Sequence, residues 1–168
     1  AIFHKAISGG RYYEDDLAAL KQQPLSAEAR YEALVIPDVQ RACDLLAPLH
    51  RDSGGSAGYV SLEVSPALAH DADGTVAAGL RLKAAVDRPN LLIKVPATPA
   101  GLVAIERLIG EGVSVNVTLM FSLAHCEGVA EAYLRGLARL RAAGGDVAGV
   151  MSVASLFLSR VDSLVDKQ

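Results

Sequence analysis

The stretch Val113-Ser-Val-Asn-Val-Thr118 alternates apolar and polar residues without a break, and this alternation decides the fold class. Successive side chains of a β-strand point to opposite faces, so the stretch predicts a strand with one apolar and one polar face. The segments Gly58-Tyr-Val-Ser-Leu-Glu-Val64 and Asn90-Leu-Leu-Ile-Lys-Val95 have the same parity. The three segments together predict a sheet that buries one face and keeps polar groups on the other.

A fourth segment, Val147-Ala-Gly-Val-Met-Ser-Val-Ala-Ser155, completes a series in which every predicted strand is followed by residues with helical periodicity. Such strand–helix alternation is typical of a parallel sheet. In an open doubly wound sheet the central strands are apolar on both faces, unlike these strands. The pattern therefore favours an α/β fold of the (β/α)8 TIM-barrel type, with the polar side chains inside the barrel. An antiparallel sheet with one solvent-exposed face is the alternative.

Three helices are predicted before the first strand, over residues 3–6, 14–23 and 27–49, and a loop rich in Gly and Ser follows them. The pattern contains no interdomain linker, so we expect residues 1–168 to belong to one domain, with no second domain.

The composition excludes several classes of protein. The chain has 168 residues with 16 basic and 19 acidic side chains, a balance that does not favour nucleic acid as a partner. The apolar runs are too short to span a membrane, and the first residues do not resemble a signal peptide, so we expect a cytoplasmic protein. Cys43 and Cys126 are expected to be buried free thiols, and the isolated histidines predict no metal site.

Lys94 is the leading catalytic candidate, because it lies inside the strand segment Leu91-Leu-Ile-Lys-Val-Pro96. An ammonium group among aliphatic side chains loses hydration, which favours the free amine. A free amine attacks carbonyl carbons to form a Schiff base, and a carboxylate on the neighbouring strand, such as Glu63, can transfer the protons that this reaction needs. The alternative is that Lys94 and Glu63 form an ion pair with a purely structural role.

The longer stretch Asn90-Leu-Leu-Ile-Lys-Val-Pro-Ala-Thr-Pro-Ala-Gly101 resembles the active-site lysine signature of transaldolases, which are class I aldolases that act through a Schiff base. The resemblance continues in Val115-Asn-Val-Thr-Leu-Met-Phe-Ser122 and in Ser155-Leu-Phe-Leu-Ser-Arg160. It implies a (β/α)8 barrel enzyme of the pentose phosphate pathway. Such an enzyme transfers a dihydroxyacetone unit from sedoheptulose 7-phosphate or fructose 6-phosphate to glyceraldehyde 3-phosphate or erythrose 4-phosphate. The resemblance implies no metal and no organic cofactor.

The resemblance also implies roles for six residues of this chain. Lys94 corresponds to the lysine that forms the Schiff base, and Glu63 with Thr118 corresponds to the pair that holds the water used in proton transfer. The substrate-binding residues that the resemblance implies are Asn116 and Ser155 for the dihydroxyacetone hydroxyl groups and Arg160 for the substrate phosphate. The strand parity independently predicts the same inner face for Glu63, Lys94, Asn116 and Thr118.

The sequence lacks the Thr-x-Asn-Pro motif that precedes the corresponding residues in transaldolases. We therefore expect residues 1–168 to be the central part of a single transaldolase barrel domain, with only strands 3 to 6 of the barrel. Alone, this part is expected to be inactive, and to pair with the remaining parts of the barrel or to form a homo-oligomer.

Two other functions stay open at the level of sequence. A fructose-6-phosphate aldolase would use the same lysine without an acceptor, although the three helices before Gly58 favour a transaldolase. A noncatalytic interaction module is the other alternative, and the presence of Glu63, Lys94 and Thr118 argues against it.

Overall fold

The computed structural model describes residues 2–9 and 11–167. Three helices come first, α1 (Ile2–Gly9), α2 (Glu14–Lys21) and α3 (Ala27–Asp52), with a short 3-10 helix at Arg11–Tyr13. Four strand–helix units follow, and a further 3-10 helix, Pro66–Leu68, lies between the first strand and its helix. These units consist of β1 (Val60–Glu63), α4 (Ala72–Val86), β2 (Leu91–Pro96), α5 (Pro99–Gly110), β3 (Val115–Met120), α6 (Leu123–Ala142), β4 (Ser152–Leu156) and α7 (Leu158–Val165).

The four strands form one parallel sheet in the order β1-β2-β3-β4. Each strand therefore lies next to the strand that precedes it in sequence, with one helix between them. A doubly wound sheet reverses its strand order at a switch point, whereas a barrel adds strands in one direction. The predicted α/β class, the parallel sheet and the arrangement of a partial (β/α)8 barrel are confirmed.

The hydrophobic core lies between the outer face of the sheet and the helices α3, α4, α5 and α6. Ile93 of β2 and Val115 of β3 are fully buried in it, as are Ile105 and Leu108 of α5. Ile93 and Val115 belong to the apolar set of the strand alternation, so the parity that the sequence predicts is the parity of the folded sheet. The polar set faces the other way.

The close approach of α5 to the end of β2 depends on a glycine. A Cβ atom at Gly101 would lie 1.9 Å from the carbonyl oxygen of Pro96, which is too close for any side chain. The backbone N–H of Gly101 donates to Oγ1 of Thr98 at 2.9 Å and thereby caps the helix. The turn after Pro96, close behind Lys94, is thus fixed.

The boundaries differ from the predicted ones in three places. Helix α3 ends at Asp52, beyond the predicted end at residue 49, and it contains Pro37 and Pro48, as the predicted range did. Packing of its buried face, which runs from Leu34 to Cys43, offsets the hydrogen bonds that proline removes. Strand β4 begins at Ser152 and not at Val147, because residues 143–149 form a glycine-rich turn. Helix α1 continues through Ser8 and Gly9, beyond its predicted end at residue 6. Gly10 lies outside the described residues.

The two cysteines are in different environments. Cys43, on the buried face of α3, lies in the core as predicted, whereas Cys126 on α6 is only partly buried. The prediction of a buried thiol was therefore wrong for Cys126, because the start of α6 lies at the rim of the sheet. Across residues 2–9 and 11–167, no helix has both the length and the apolar character needed to cross a membrane.

Candidate active site

The strand register places three polar residues in one row across the inner face of the sheet. Glu63 of β1 pairs with Lys94 of β2, and Lys94 pairs with Asn116 of β3. In parallel strands, paired residues project to the same face, so the three side chains are neighbours. The sheet therefore assembles a carboxylate, an amine and an amide from residues that lie far apart in sequence.

The amine of Lys94 is in direct contact with Glu63. Its Nζ donates to Oε2 of Glu63 at 3.3 Å, and the two side chains are 31% and 53% exposed. The apolar sequence neighbours Ile93 and Val95 are buried in the core on the opposite face. Lys94 is consequently less desolvated than its apolar sequence context predicts, because its side chain leaves the strand on the polar face.

Asn116 has both ends of its amide group in hydrogen bonds. Its Nδ2 donates to Oγ of Ser61 at 3.0 Å, and its Oδ1 accepts from Oγ of Ser155 at 3.0 Å. The structure thus brings Ser155 next to Asn116, as the implied shared role requires. Ser61 was not singled out from the sequence, although the signal was present, since it lies on the polar parity of β1 two residues before Glu63.

Thr118 lies on the same face as Asn116, one layer further along β3, and pairs with Pro96. It is only 1% exposed, and its hydroxyl has no hydrogen-bond partner among the described residues. A buried hydroxyl without a partner costs stability, about 1–3 kcal/mol, so this group retains capacity for a further hydrogen bond. No direct contact joins Thr118 to Glu63 in the described part of the chain.

Arg160 is separate from these residues. It lies in the first turn of α7, and its guanidinium carbon is 5.1 Å from the centroid of the Phe157 ring. No hydrogen bond or ion pair within residues 2–9 and 11–167 joins it to the row of Glu63, Lys94 and Asn116. The structure therefore places Arg160 at the same end of the sheet, but outside this row.

A cavity of about 750 Å³ opens along the free edge of β1, next to the helices α1 and α3, and residues of both faces of this strand line it. Its polar wall includes Lys94, Glu63 and Ser61, and its apolar wall includes Phe3 and Val39. This volume lies in the range of sites that bind small metabolites.

A second cavity of about 330 Å³ lies on the other side of Glu63. Tyr31 lines both cavities. Burial raises the pKa of the Tyr31 hydroxyl, and the negative charges of Glu63 and Glu32 raise it further.

The described residues contain no group of three His, Cys, Asp or Glu side chains that converge as metal ligands do. The inner face instead presents a primary amine next to a carboxylate, with an amide and several hydroxyl groups around them. Amines attack carbonyl groups, carboxylates accept protons, and amides and hydroxyls bind polyols. The arrangement suits covalent chemistry on a small hydroxylated carbonyl compound.

Comparison with known proteins agrees with this chemistry. A family model described as Transaldolase/Fructose-6-phosphate aldolase matches residues 1–168. The chain belongs to this family. Within the family, the chain is 54% identical over 168 residues to a protein named Transaldolase from Thiobacillus denitrificans. The aligned region covers 100% of this chain and 47% of that relative.

Two further relatives give the same result. The chain is 52% identical over 166 residues to the Transaldolase of Neisseria gonorrhoeae, covering 99% of this chain and 47% of the relative. It is 49% identical over 168 residues to Transaldolase 1 of Streptomyces avermitilis, covering 100% of this chain and 44% of the relative. The chain spans about half the length of the curated relatives that it matches.

Proposed function

We propose that this chain carries the Schiff-base centre of a transaldolase, with Lys94 as the nucleophile. The observation that carries the proposal is the position of Lys94, which lies on a central strand with its amine 3.3 Å from the carboxylate of Glu63, beside a metabolite-sized cavity. The family and the names of its relatives support the same activity.

In the proposed reaction the Lys94 amine attacks the carbonyl carbon of a ketose phosphate. Loss of water gives a Schiff base. When the neighbouring carbon–carbon bond breaks, its electron pair passes to the Schiff base, and the hydroxyl group on the leaving fragment gives its proton to a general base and becomes the aldehyde. An aldose phosphate leaves, and the remaining dihydroxyacetone unit is transferred to an aldehyde acceptor. Glu63 accepts the proton from Lys94 and, with the Thr118 hydroxyl, moves protons during formation and loss of the carbinolamine.

The other inner-face residues bind the substrate in this proposal. The amide of Asn116 and the hydroxyl of Ser155 are already aligned by their mutual hydrogen bond, and they bind the hydroxyl groups of the dihydroxyacetone unit. Arg160 binds the phosphate, since a guanidinium group offers several in-plane donors to phosphate oxygens.

The substrates in this proposal are those that the resemblance to transaldolases implies. The donors are sedoheptulose 7-phosphate or fructose 6-phosphate, and the acceptors are glyceraldehyde 3-phosphate or erythrose 4-phosphate, as in the pentose phosphate pathway. The protein acts in the cytoplasm and uses no metal or organic cofactor. Its sheet edges at β1 and β4 pair with other parts of the barrel or with a second copy of the chain.

The decisive test is chemical trapping in the protein that carries these 168 residues. After incubation with fructose 6-phosphate, borohydride reduction should leave a stable dihydroxyacetone adduct on Lys94, located by peptide mass spectrometry. Lys94→Arg should give no adduct and no turnover, because the guanidinium stays protonated.

Lys83→Arg is the matched control. Burial lowers the pKa of Lys83 on α4, so its amine is the competing candidate for attack on the ketose carbonyl. Trapping on Lys83, or no adduct at all, would refute the assignment of Lys94.

The same experiment separates a transaldolase from a fructose-6-phosphate aldolase. Without an acceptor, a transaldolase retains the dihydroxyacetone unit on Lys94, whereas an aldolase releases free dihydroxyacetone in every cycle. Steady release without an acceptor would therefore favour the aldolase function. Absence of both adduct and release would favour the noncatalytic alternative.

A further inference from the structure

Two phenylalanines lie side by side where β3 and β4 end. Phe121 follows β3 directly and Phe157 follows β4, and their rings stack with centroids 6.1 Å apart and an interplanar angle of 28°. Phe121 is 42% exposed, so burial in the core does not account for its aromatic side chain. We call this pair the aromatic platform.

A bulge in β3 aligns the two rings. Val117 pairs with Ala154, but the next registered pair is Met120 with Leu156, so β3 contains one extra residue. Leu119 in this bulge has a φ of 61°, which is a costly backbone conformation for a leucine. Because Met120 and Leu156 are paired, the residues that follow them leave the sheet together.

If β3 continued in the register of Val117 and Ala154 without a bulge, Leu158 and not Phe157 would lie beside Phe121. The strained backbone at Leu119 therefore has a visible structural result, which is the stacking of the two rings.

The platform supports the guanidinium group of Arg160. The guanidinium carbon lies 5.1 Å from the centre of the Phe157 ring, within the range of a cation–π interaction. Such stacking uses the face of the guanidinium and leaves its in-plane N–H donors available. Of the acidic groups in residues 2–9 and 11–167, none forms an ion pair with Arg160. The charge is thus oriented but not neutralised.

We propose that Phe121 is a positioning residue for phosphate recognition, acting on Arg160 through Phe157. Phe121 fixes the ring of Phe157, and this ring fixes the guanidinium in the orientation that receives the phosphate of a sugar phosphate. The inference rests on the proposed function, because it takes Arg160 as the phosphate ligand. The inference adds Phe121, which follows β3, to the residues proposed for phosphate binding. It also relates the bulge in β3 to the position of the Phe121 ring.

The test compares donors that differ only in phosphate, using the protein that carries these 168 residues. The donors are fructose 6-phosphate and fructose, and the acceptor is unphosphorylated glyceraldehyde in both cases. Phe121→Leu should raise the KM for fructose 6-phosphate about two- to fivefold, the scale of an exposed cation–π interaction. It should leave kcat and the kinetics with fructose unchanged.

Three further variants make the result specific. Phe121→Tyr keeps the ring and should behave as the parent protein, and Tyr12→Leu removes a highly exposed aromatic side chain remote from the site and should have no effect. In the double variant with Arg160→Ala, Phe121→Leu should add no further increase in KM, because its effect passes through Arg160.

The outcomes separate the inference from the proposed function. If Arg160→Ala weakens fructose 6-phosphate but Phe121→Leu does not, Arg160 is the phosphate ligand and the positioning role of Phe121 is wrong. If Phe121→Leu weakens both donors equally, its role is structural and the inference is also overturned. If Arg160→Ala affects neither donor, the proposed phosphate site itself fails.

Discussion

The two faces of the sheet differ in what their side chains contact. On β2, Ile93 is fully buried against the helices, whereas the next residue, Lys94, projects to the inner face and contacts Glu63. Consecutive residues thus serve the core and the candidate site. The outer face therefore determines stability, and the inner face carries the proposed chemistry. Substitutions on the outer face should change the free energy of unfolding, and those on the inner face should change turnover.

The largest effect is expected from Glu63→Gln on the inner face. Removing the carboxylate beside Lys94 should lower kcat about 10²- to 10⁴-fold, the usual contribution of a general acid or base. The free energy of unfolding should change by less than about 1 kcal/mol, because the ion pair is solvent-exposed. Steady-state kinetics and urea denaturation measure the two quantities, with Glu111→Gln, at an exposed position, as the control.

Ile93→Ala tests the outer face at the neighbouring position. It should destabilise the fold by about 2–5 kcal/mol, because it opens a cavity in the core of the sheet. Turnover per folded molecule should be retained. Urea denaturation measures the loss, and Val103→Ala, at a position that is 51% exposed, should change stability by less than about 0.5 kcal/mol. Loss of turnover without loss of stability would contradict the separation of the two faces.

Asn90→Ala removes a buried polar contact at the opposite end of the strands. The Asn90 amide donates to the carbonyl oxygens of Cys43 and Gly58, at 2.9 Å and 2.8 Å, and so joins α3 to the start of the sheet. We expect a loss of about 1–3 kcal/mol in thermal or urea unfolding. Gln40→Ala, which removes similar contacts from a less buried side chain, should cost less. Equal losses would mean that burial does not set the cost.

The smallest effect concerns an ion pair outside the core. Nε of Arg135 donates to Glu106 at 2.7 Å, and this hydrogen bond lowers the pKa of the Glu106 carboxyl. The contribution to stability is therefore present above the ordinary pKa of glutamate and is lost as the pH falls through the lowered pKa of the folded state. Glu106→Gln should make the free energy of unfolding depend less on pH in the acid range. Glu127→Gln, at an exposed position, should leave this dependence unchanged.

Much of the architecture could be predicted from residue parity alone. The alternation in Val113-Ser-Val-Asn-Val-Thr118 predicted which side chains meet the helices, because a strand has only two faces and one of them is apolar. The row of Glu63, Lys94 and Asn116 follows from the same parity once the strands are parallel. The roles of these residues are different, since they rest on the resemblance to transaldolases and remain predictions.

The features that sequence could not predict depend on register and packing. The contact between Ser61 and Asn116 crosses an intervening strand, and no local pattern encodes such a distance. The bulge at Leu119 was missed because leucine carries no signal for a left-handed backbone.

The strictly sequential order of the strands also has a consequence for how the chain reaches its native state. Each strand finds its partner just one helix away along the chain, so the entropy of closing each loop stays moderate. Folding can then proceed by successive addition of neighbouring units onto a growing edge. A synthesising ribosome releases the units in the same order, so the sheet can grow during translation.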